Sequence, residues 1–397
     1  MARPSFDPLA LQRLQGTYHR GLMADVLPFW LSGALDETHG GYWTCRRADG
    51  HVVDTDKCMW QQGRFAWLLS TLANVFPDHL QRDQWLRAAE LGIRFIDQYG
   101  TDPADGRMWF HVTSSGLPVR KRRYAFSESF ASIAYAQWSR ATGDAGYGQK
   151  AIRAFEAFFE HRTAPKFCSA RESVGIGHPM ITIATAHELR DALGWQPATQ
   201  IIAEQIAWIE RMFVRDDLQA VLEIVAPDGQ VIDHFDGRTL NPGHAIEAAW
   251  FIIREGQYST NPKWIQLGTK MLDWMLQRGW DDQFGGLLYF VSLNDDPIQE
   301  YWHDMKFWWP HNEAIIATLM AAHATGDAKY MDWHSRIHSW AYEHFADPEH
   351  GEWFGYLRRD GTVSSQLKGN LWKGPFHLPR MQLICKQVLD CMLSDAN

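Results

Sequence analysis

Long hydrophobic runs are missing from this chain: none approaches the roughly 18 residues that a membrane-spanning helix needs, so no membrane partner is expected. The opening stretch MARPSFDPLALQRL also lacks the apolar centre of a secretory signal, and the expected address is the cytoplasm. Cysteine is scarce. The five residues Cys45, Cys58, Cys168, Cys385 and Cys391 are odd in number, scattered, and show no Cys-x-x-Cys spacing, which excludes a disulfide framework and a zinc knuckle and leaves reduced thiols. Positive charge is in deficit, with a net charge of -9, so a nucleic-acid scaffold is excluded for want of a basic face. One local run, Arg120, Lys121, Arg122 and Arg123, reads as a solvated loop in preference to an anion site.

Nucleotide and metal motifs are missing as well. There is no Walker loop, no Gly-x-Gly-x-x-Gly after a strand, no Gly-x-Ser-x-Gly elbow and no His-Glu-x-x-His, so the chemistry is expected to use neither cofactor nor metal. His334 and His338 have i, i+4 spacing but read as a solvated pair on an outer helix. His187-Glu188 has no second histidine four residues on.

What is abundant is core-forming material: 46% of the 397 residues are hydrophobic and 21% charged, the balance of an ordered protein with a large interior. The 20 tryptophans suit sugar-binding surfaces, yet most read as core; Trp67, Trp138 and Trp208 fall at helical spacing among apolar neighbours.

One sequence pattern repeats: an acidic turn, glycine, an aromatic strand, a tight turn and a second strand. Its copies are DETHGGYWTCRRADGHVVD (Asp36 to Asp54), DPADGRMWFHVTSSGLPV (Asp102 to Val119), DDLQAVLEIVAPDGQVID (Asp216 to Asp233), DDQFGGLLYFVSLNDDPIQ (Asp281 to Gln299) and DPEHGEWFGYLRRDGTVS (Asp347 to Ser364). They recur about every 65 residues apart from one double gap, where APKFCSARESVG (Ala164 to Gly175) is expected to be a degenerate copy. Between copies lie two helix-length segments, ending or breaking at Gly100, Gly143, Gly194, Gly256, Gly279 and Gly326.

The helix that follows each hairpin is apolar on all sides: Cys58 to Phe76, Phe126 to Thr142, His178 to Leu193, Pro242 to Arg254, Pro310 to Thr325 and Pro375 to Leu393. Its partner is amphipathic, as in NPKWIQLGTKMLDWMLQRG. About twelve helices in six pairs predict an all-α fold, an (α/α)6 barrel with short β-hairpins on one end, forming a single catalytic domain over residues 1–397.

That arrangement aims the first turn of every inner helix into one bowl. The polar residues there are Arg64, Ser127 with Glu128, His178, His244 with Glu247, His311 with Glu313, and His377 with Arg380. In LNPGHAIEAAWF, Asn241 is an N-cap, Pro242 suits the first helical position, and His244 and Glu247 share a face. GPFHLPR and WWPHNEA repeat the device with Pro375 ahead of His377 and Pro310 ahead of His311. An imidazole at a helix N-terminus is expected to stay uncharged and basic. Two of them facing one carbonyl substrate define a reaction: one takes the proton next to the carbonyl, the other returns a proton to the opposite face, and the stereocentre inverts. Arg64 is the candidate to hold the enediolate oxygen. Glu247 and Glu313 are placed to hold hydroxyls or orient an imidazole, and Trp308, Trp309 and Trp372 to cover a sugar face. His178 and His311 stay open between core and site, with His178 kept among the substrate-contacting candidates.

The segments GGYWTCRRADGHVVDTDKCMWQQGRFAW, AFSESFASIA, APDGQVIDHFDGRTLNPGHAIEAAWF, KFWWPHNEA and GEWFGYLRRDGTVSSQLKGNLWKGPFHLPR occur in that order, nearly end to end. In them the chain resembles the N-acylglucosamine 2-epimerase family, which includes the vertebrate renin-binding protein and is related to cellobiose 2-epimerases and mannose isomerases. The resemblance implies the same barrel and interconversion of N-acetylglucosamine and N-acetylmannosamine at C2 of the ring-opened sugar. It implies His244 and His377 as catalytic histidines, Arg64 on the carbonyl side, Glu247 and Glu313 as site carboxylates, and Arg380 as a further site position. It also implies a homodimer, and ATP as an activator that is not consumed, as in animal and cyanobacterial members. Arg162 to Gly177 lacks the glycine- and lysine-rich character of the nucleotide-responsive loop, and His178 and the run Arg120 to Arg123 depart from N-acetylglucosamine-specific members. The rival readings are aldose-ketose isomerisation or 2-epimerisation of unsubstituted sugars such as mannose and glucose, glycoside hydrolysis through Glu128 and Asp236, and binding without catalysis.

Overall fold

Helix ends in this chain are set by asparagine, aspartate and glycine. Asn241, Asn261 and Asp327 each accept a backbone N–H from the first turn of the helix they open, while Gly143, Gly194 and Gly326 close theirs in the left-handed conformation. The computed structural model describes residues 6–121, 125–161 and 170–395. Among these, α1 (Pro8–Arg20) leads through a π-helical turn, Gly21–Val26, into α2 (Leu27–Leu31). Then come α3 (Met59–Val75), α4 (Arg82–Tyr99), α5 (Phe126–Thr142), α6 (Ala145–His161), α7 (Gly177–Leu193), α8 (Pro197–Phe213) and the one-turn α9 (Phe235–Arg238). The last are α10 (Pro242–Tyr258), α11 (Pro262–Gly279), α12 (Trp308–Thr325), α13 (Ala328–His344) and α14 (His377–Asp395).

The chain folds as an (α/α)6 barrel. Helices α3, α5, α7, α10, α12 and α14 form the inner ring; α4, α6, α8, α11 and α13 pack outside it, and α1 lies on α14 as the sixth outer helix. Burial follows the sequence pattern: every residue of α12 from Trp308 to Ala322 is buried, whereas α4 buries the i, i+3, i+4 stripe Trp85, Ala88, Ala89, Gly92, Ile93, Phe95 and Ile96. Each large apolar side chain of such a stripe contributes roughly 1.5–3 kcal/mol. α3 and α5 touch at backbone distance, because a Cβ at Gly63 would lie 2.6 Å from the Phe130 carbonyl oxygen. Two inner helices start differently from the sequence expectation. α12 begins at Trp308, with Pro310 inside its first turn, and α14 begins at His377, with Pro379 there in place of Pro375. Proline is tolerated in a first turn because those N–H groups have no intrahelical partner.

The hairpins form the rim. Isolated bridges Leu35↔Tyr42, Thr101↔Met108, Trp280↔Leu287 and Ala346↔Trp353 close the same acidic turn in four copies. The turn aspartate is held by a lysine that the sequence reading overlooked. Lys57, Lys306 and Lys368 reach Asp36, Asp281 and Asp347 at 2.7, 2.8 and 2.6 Å and also bond the carbonyls of Gly40, Gly285 and Gly351. Lys121 does the same for Asp102 at 2.6 Å, so this member of the basic run is an ion-pairing strut and not a solvated side chain; Arg122 and Arg123 lie outside the described residues.

Each strand entering an inner helix pairs antiparallel with the next hairpin: Lys57–Cys58 with His111–Val112, Val174–Gly175 with Ile224–Val225, Thr239–Leu240 with Val291–Ser292, and Lys306–Phe307 with Tyr356–Leu357. Leu367–Gly369 returns to Cys45–Arg47 and closes the ring. Of the expected degenerate copy, Val174–Gly175 joins this ladder, while 164–169, with Cys168, fall outside the described residues. The pair His334 and His338 is not a freely solvated one. His334 is 1% exposed and His338 half-buried, and the Tyr18 hydroxyl bridges the two rings at 2.9 Å each, a bonded polar contact between α1 and α13.

Candidate functional site

The bowl is built from the first two turns of α3, α10, α12 and α14. Asn241 caps α10 and fixes His244 one turn in, where its ring lies 5.1 Å from the Trp309 indole. His377, the first residue of α14, lies 5.8 Å from the same indole. Two imidazoles 133 positions apart in sequence therefore share one aromatic wall. Their side chains are 32% and 11% exposed, so both open onto the bowl.

Each imidazole is tied at Nδ1. His244 Nδ1 meets Glu223 Oε1 at 2.9 Å, and His377 Nδ1 meets Glu313 Oε1 at 2.7 Å. In the neutral tautomer that donates Nδ1–H to its carboxylate, the lone pair sits on Nε2, the arrangement of a general base with an orienting acid behind it. Arg380 organises the second pair: its Nη2 donates to Glu313 and to Glu247, both at 2.6 Å, and the Trp250 indole N–H donates to the other Glu313 oxygen at 2.9 Å.

The electrostatics divide the two histidines. For His377, burial and then the guanidiniums of Arg380 and Arg64 disfavour the cation and hold its pKa well below the ordinary value, as expected of a base at a helix start. For His244, burial also works against the cation, but the Glu223 carboxylate, by charge and hydrogen bond, and Glu247 outweigh it and the pKa is raised. The uncharged imidazole expected at that helix start is thus corrected by a carboxylate that the local sequence does not supply. Glu223 went unnoticed in the sequence; its signal was a lone charge inside the apolar strand pattern AVLEIVA.

Arg64 projects from α3 between Phe130 and Phe376, with its guanidinium carbon 4.1 and 4.7 Å from their ring centres. Among the described residues no carboxylate forms an ion pair with it. Burial, followed by the Arg380 charge, lowers its pKa to about 10, so it stays cationic at neutral pH and is available to a developing oxyanion. Trp308 is buried with its ring edge-on to His377 at 6.0 Å, and Trp372, 43% exposed, stands at the mouth against Trp60 and Phe110. His178 occupies the first turn of α7, 5.3 Å from the Phe126 ring.

Glu247, Glu313 and His377 also place ligand atoms within 4.8 Å of one another, a spacing open to a divalent ion. Arg380 sits on both carboxylates with a permanent positive charge, which makes the trio a guanidinium clamp and a poor cation site.

Other first-turn groups belong to the framework. Gln62, Glu128 and His311 each accept the backbone N–H of the turn residue in their copy, Tyr42, Met108 and Leu287, at 2.7, 2.9 and 2.9 Å. His311 also bonds the Phe307 carbonyl and stacks on Trp340; burial holds its pKa at about 3, and it is a core histidine. Glu128 is the same strut in a different residue, and Asp236, 59% exposed in α9, is not its match as a buried catalytic acid.

With this geometry, comparison with known proteins is specific. Residues 41–377 match the family model described as N-acylglucosamine 2-epimerase (GlcNAc 2-epimerase). The N-acylglucosamine 2-epimerase of Bos taurus is 35% identical over 385 residues, 93% of this chain and 90% of its own. That of Homo sapiens is 34% identical over 392 residues, with 93% and 88% covered. The solved cellobiose 2-epimerase of Spirochaeta thermophila superposes with a TM-score of 0.83 at 18% identity, covering 98% of this chain and all (100%) of its own, which confirms the fold. A family match across most of the length, carried on a barrel whose first turns gather two carboxylate-tied histidines, places this chain in the N-acylglucosamine 2-epimerase family.

Proposed function

We propose that this chain is a sugar 2-epimerase that interconverts N-acetyl-D-glucosamine and N-acetyl-D-mannosamine by two-base proton exchange at C2 of the open-chain aldose. The observation that carries the reading is the pair His244 and His377 on one indole, each with Nδ1 on a carboxylate. One Nε2 removes the C2 proton, the electrons move into an enediolate whose oxygen lies under Arg64, and the other Nε2–H delivers a proton to the far face. Glu313 and Glu247 act on this chemistry through the Arg380 clamp and as acceptors for sugar hydroxyls. Trp309 is the wall under the reacting carbon; Trp308, Trp372 and His178 border the rest of the sugar.

Incubation with N-acetylmannosamine in heavy water is expected to give N-acetylglucosamine carrying deuterium at C2. A ketose product would mean that one base moves the proton from C2 to C1, release of a reducing end from a glycoside would mean hydrolysis, and no turnover of any aldose would mean a binding protein. The wall has its own test. A Cβ at Gly243 would lie 2.6 Å from the Trp309 indole, so Gly243→Ala is expected to displace that ring and cut kcat/KM about 100-fold, the cost of a misplacement near 1 Å. An unchanged kcat/KM would remove Trp309 from its assigned place.

The reading takes residues 1–397 as one catalytic domain that works as a cytoplasmic homodimer without metal or organic cofactor, with ATP needed neither as substrate nor as activator. Light scattering tests the dimer.

A further inference from the structure

The two imidazoles sit in unlike charge environments, and the difference lies in what stands behind each. The charged or titratable groups around His244 are Glu223, ahead of the strand Ile224–Val225, Glu247 one turn further along α10, and His377 from α14 beyond the indole. Among the described residues, Glu223 has no cation other than His244. Around His377 stand Glu313 from α12, Arg380 from its own helix, Arg64 from α3, and Glu247 and His244 from α10. Both of the carboxylates near it are bonded by Arg380 at 2.6 Å, and the charges of Arg380 and Arg64 together balance those of Glu247 and Glu313. His244 therefore faces a carboxylate that has no other cation, whereas the two carboxylates beside His377 are matched by two guanidiniums.

We propose that Glu223 is a positioning residue that keeps His244 protonated, so that the resting enzyme has a fixed polarity, with His377 as base and His244 as acid, and each turnover leaves it in the reversed form. The proposal rests on the two-base reading above. In the forward half, the C2–H bond breaks and its proton passes to Nε2 of His377 while the electron pair enters the enediolate. The Nε2–H bond of His244 then breaks and that proton joins C2 on the opposite face. The sugar has lost one proton and gained one, His377 is now cationic and His244 neutral, and one proton must pass from His377 to His244 through solvent before the same epimer reacts again. The opposite epimer is the substrate of the reversed form. The raised pKa of His244 and the depressed pKa of His377 have the same sense.

The pH profile of kcat/KM tests this. The starting form needs His244 charged, so activity is lost as pH rises through its raised pKa, and needs His377 neutral, so activity is lost as pH falls through its lowered one. Glu223→Gln removes the charge and keeps the shape; the basic limb is expected to move down by about one to three pH units, the usual effect of an adjacent opposite charge. The acid limb stays, and Glu223→Asp keeps the basic limb near the wild type. A uniform loss across pH with an unmoved basic limb overturns the proposal. A readout independent of turnover is the nitrogen-15 spectrum of the imidazoles in the wild-type protein, assigned with His244→Asn. Midpoints for His244 above and His377 below the free value of about 6.5 are expected, and the reverse order overturns the proposal. A wild type that epimerises no sugar would fail the functional reading alone, since the imidazole titration still decides this one.

Discussion

Replacement of His377 by Asn, or of His244 by Asn, is expected to abolish inversion, lowering kcat by about 100- to 10,000-fold, the usual worth of a positioned acid-base group. The two variants are expected to retain complementary half-reactions. With His244→Asn, His377 still removes the C2 proton of the epimer that presents it and returns solvent hydrogen to the same face; with His377→Asn, the opposite epimer exchanges through the neutral fraction of His244, which grows as pH rises toward its raised pKa. In heavy water each variant thus incorporates deuterium into one starting sugar without forming the other. Asparagine retains a donor and an acceptor for Glu223 or Glu313, so the carboxylates are not orphaned and the loss reports on the base. Wild-type rates in either variant would refute the assigned roles.

The second large effect is on stability. Arg380→Met leaves Glu247 and Glu313 facing each other in a buried site without the cation that both contact at 2.6 Å. Removing one partner of such a cluster costs about 3–5 kcal/mol, because the remaining charges stay desolvated and unpaired. Urea unfolding at neutral pH measures it. Adding Glu313→Gln removes one of the stranded charges, and the double variant is expected to be more stable than Arg380→Met alone. Equal stability of Arg380→Met and wild type would mean that the clamp bears on geometry only. His377 shares this network through Glu313, so the single variant is also expected to lose turnover even at temperatures where it stays folded.

Much of the site was readable because one supersecondary unit is repeated. An inner helix must be apolar on every side, and α12 buried from Trp308 to Ala322 is what that pattern demands. The first turns of such helices then point at one place, which is why His244, Glu247, Glu313, His377 and Arg380, far apart in the chain, could be named together. The same reasoning could not separate site from strut. His311 and Glu128 occupy first turns like the others, yet both hold a neighbouring backbone N–H, because the side-chain direction within a turn depends on the helix's rotation in the ring. His334 and His338 looked solvated on an amphipathic helix until Tyr18, from the far end of the chain, proved to lie between them.

Composition and periodicity by themselves determined the class of fold, the absence of disulfide and nucleotide motifs, and which first-turn residues were candidates, because those properties follow from local spacing and bulk hydrophobicity. Charge was decided by the tertiary structure alone. Whether an imidazole is cationic depends on fields from groups brought near by folding: Glu223 against His244, and Arg64 with Arg380 against His377. The helix dipole visible in sequence acts within one turn and gives both histidines the same sign; the opposing pKa directions come from partners that only ring closure brings within reach.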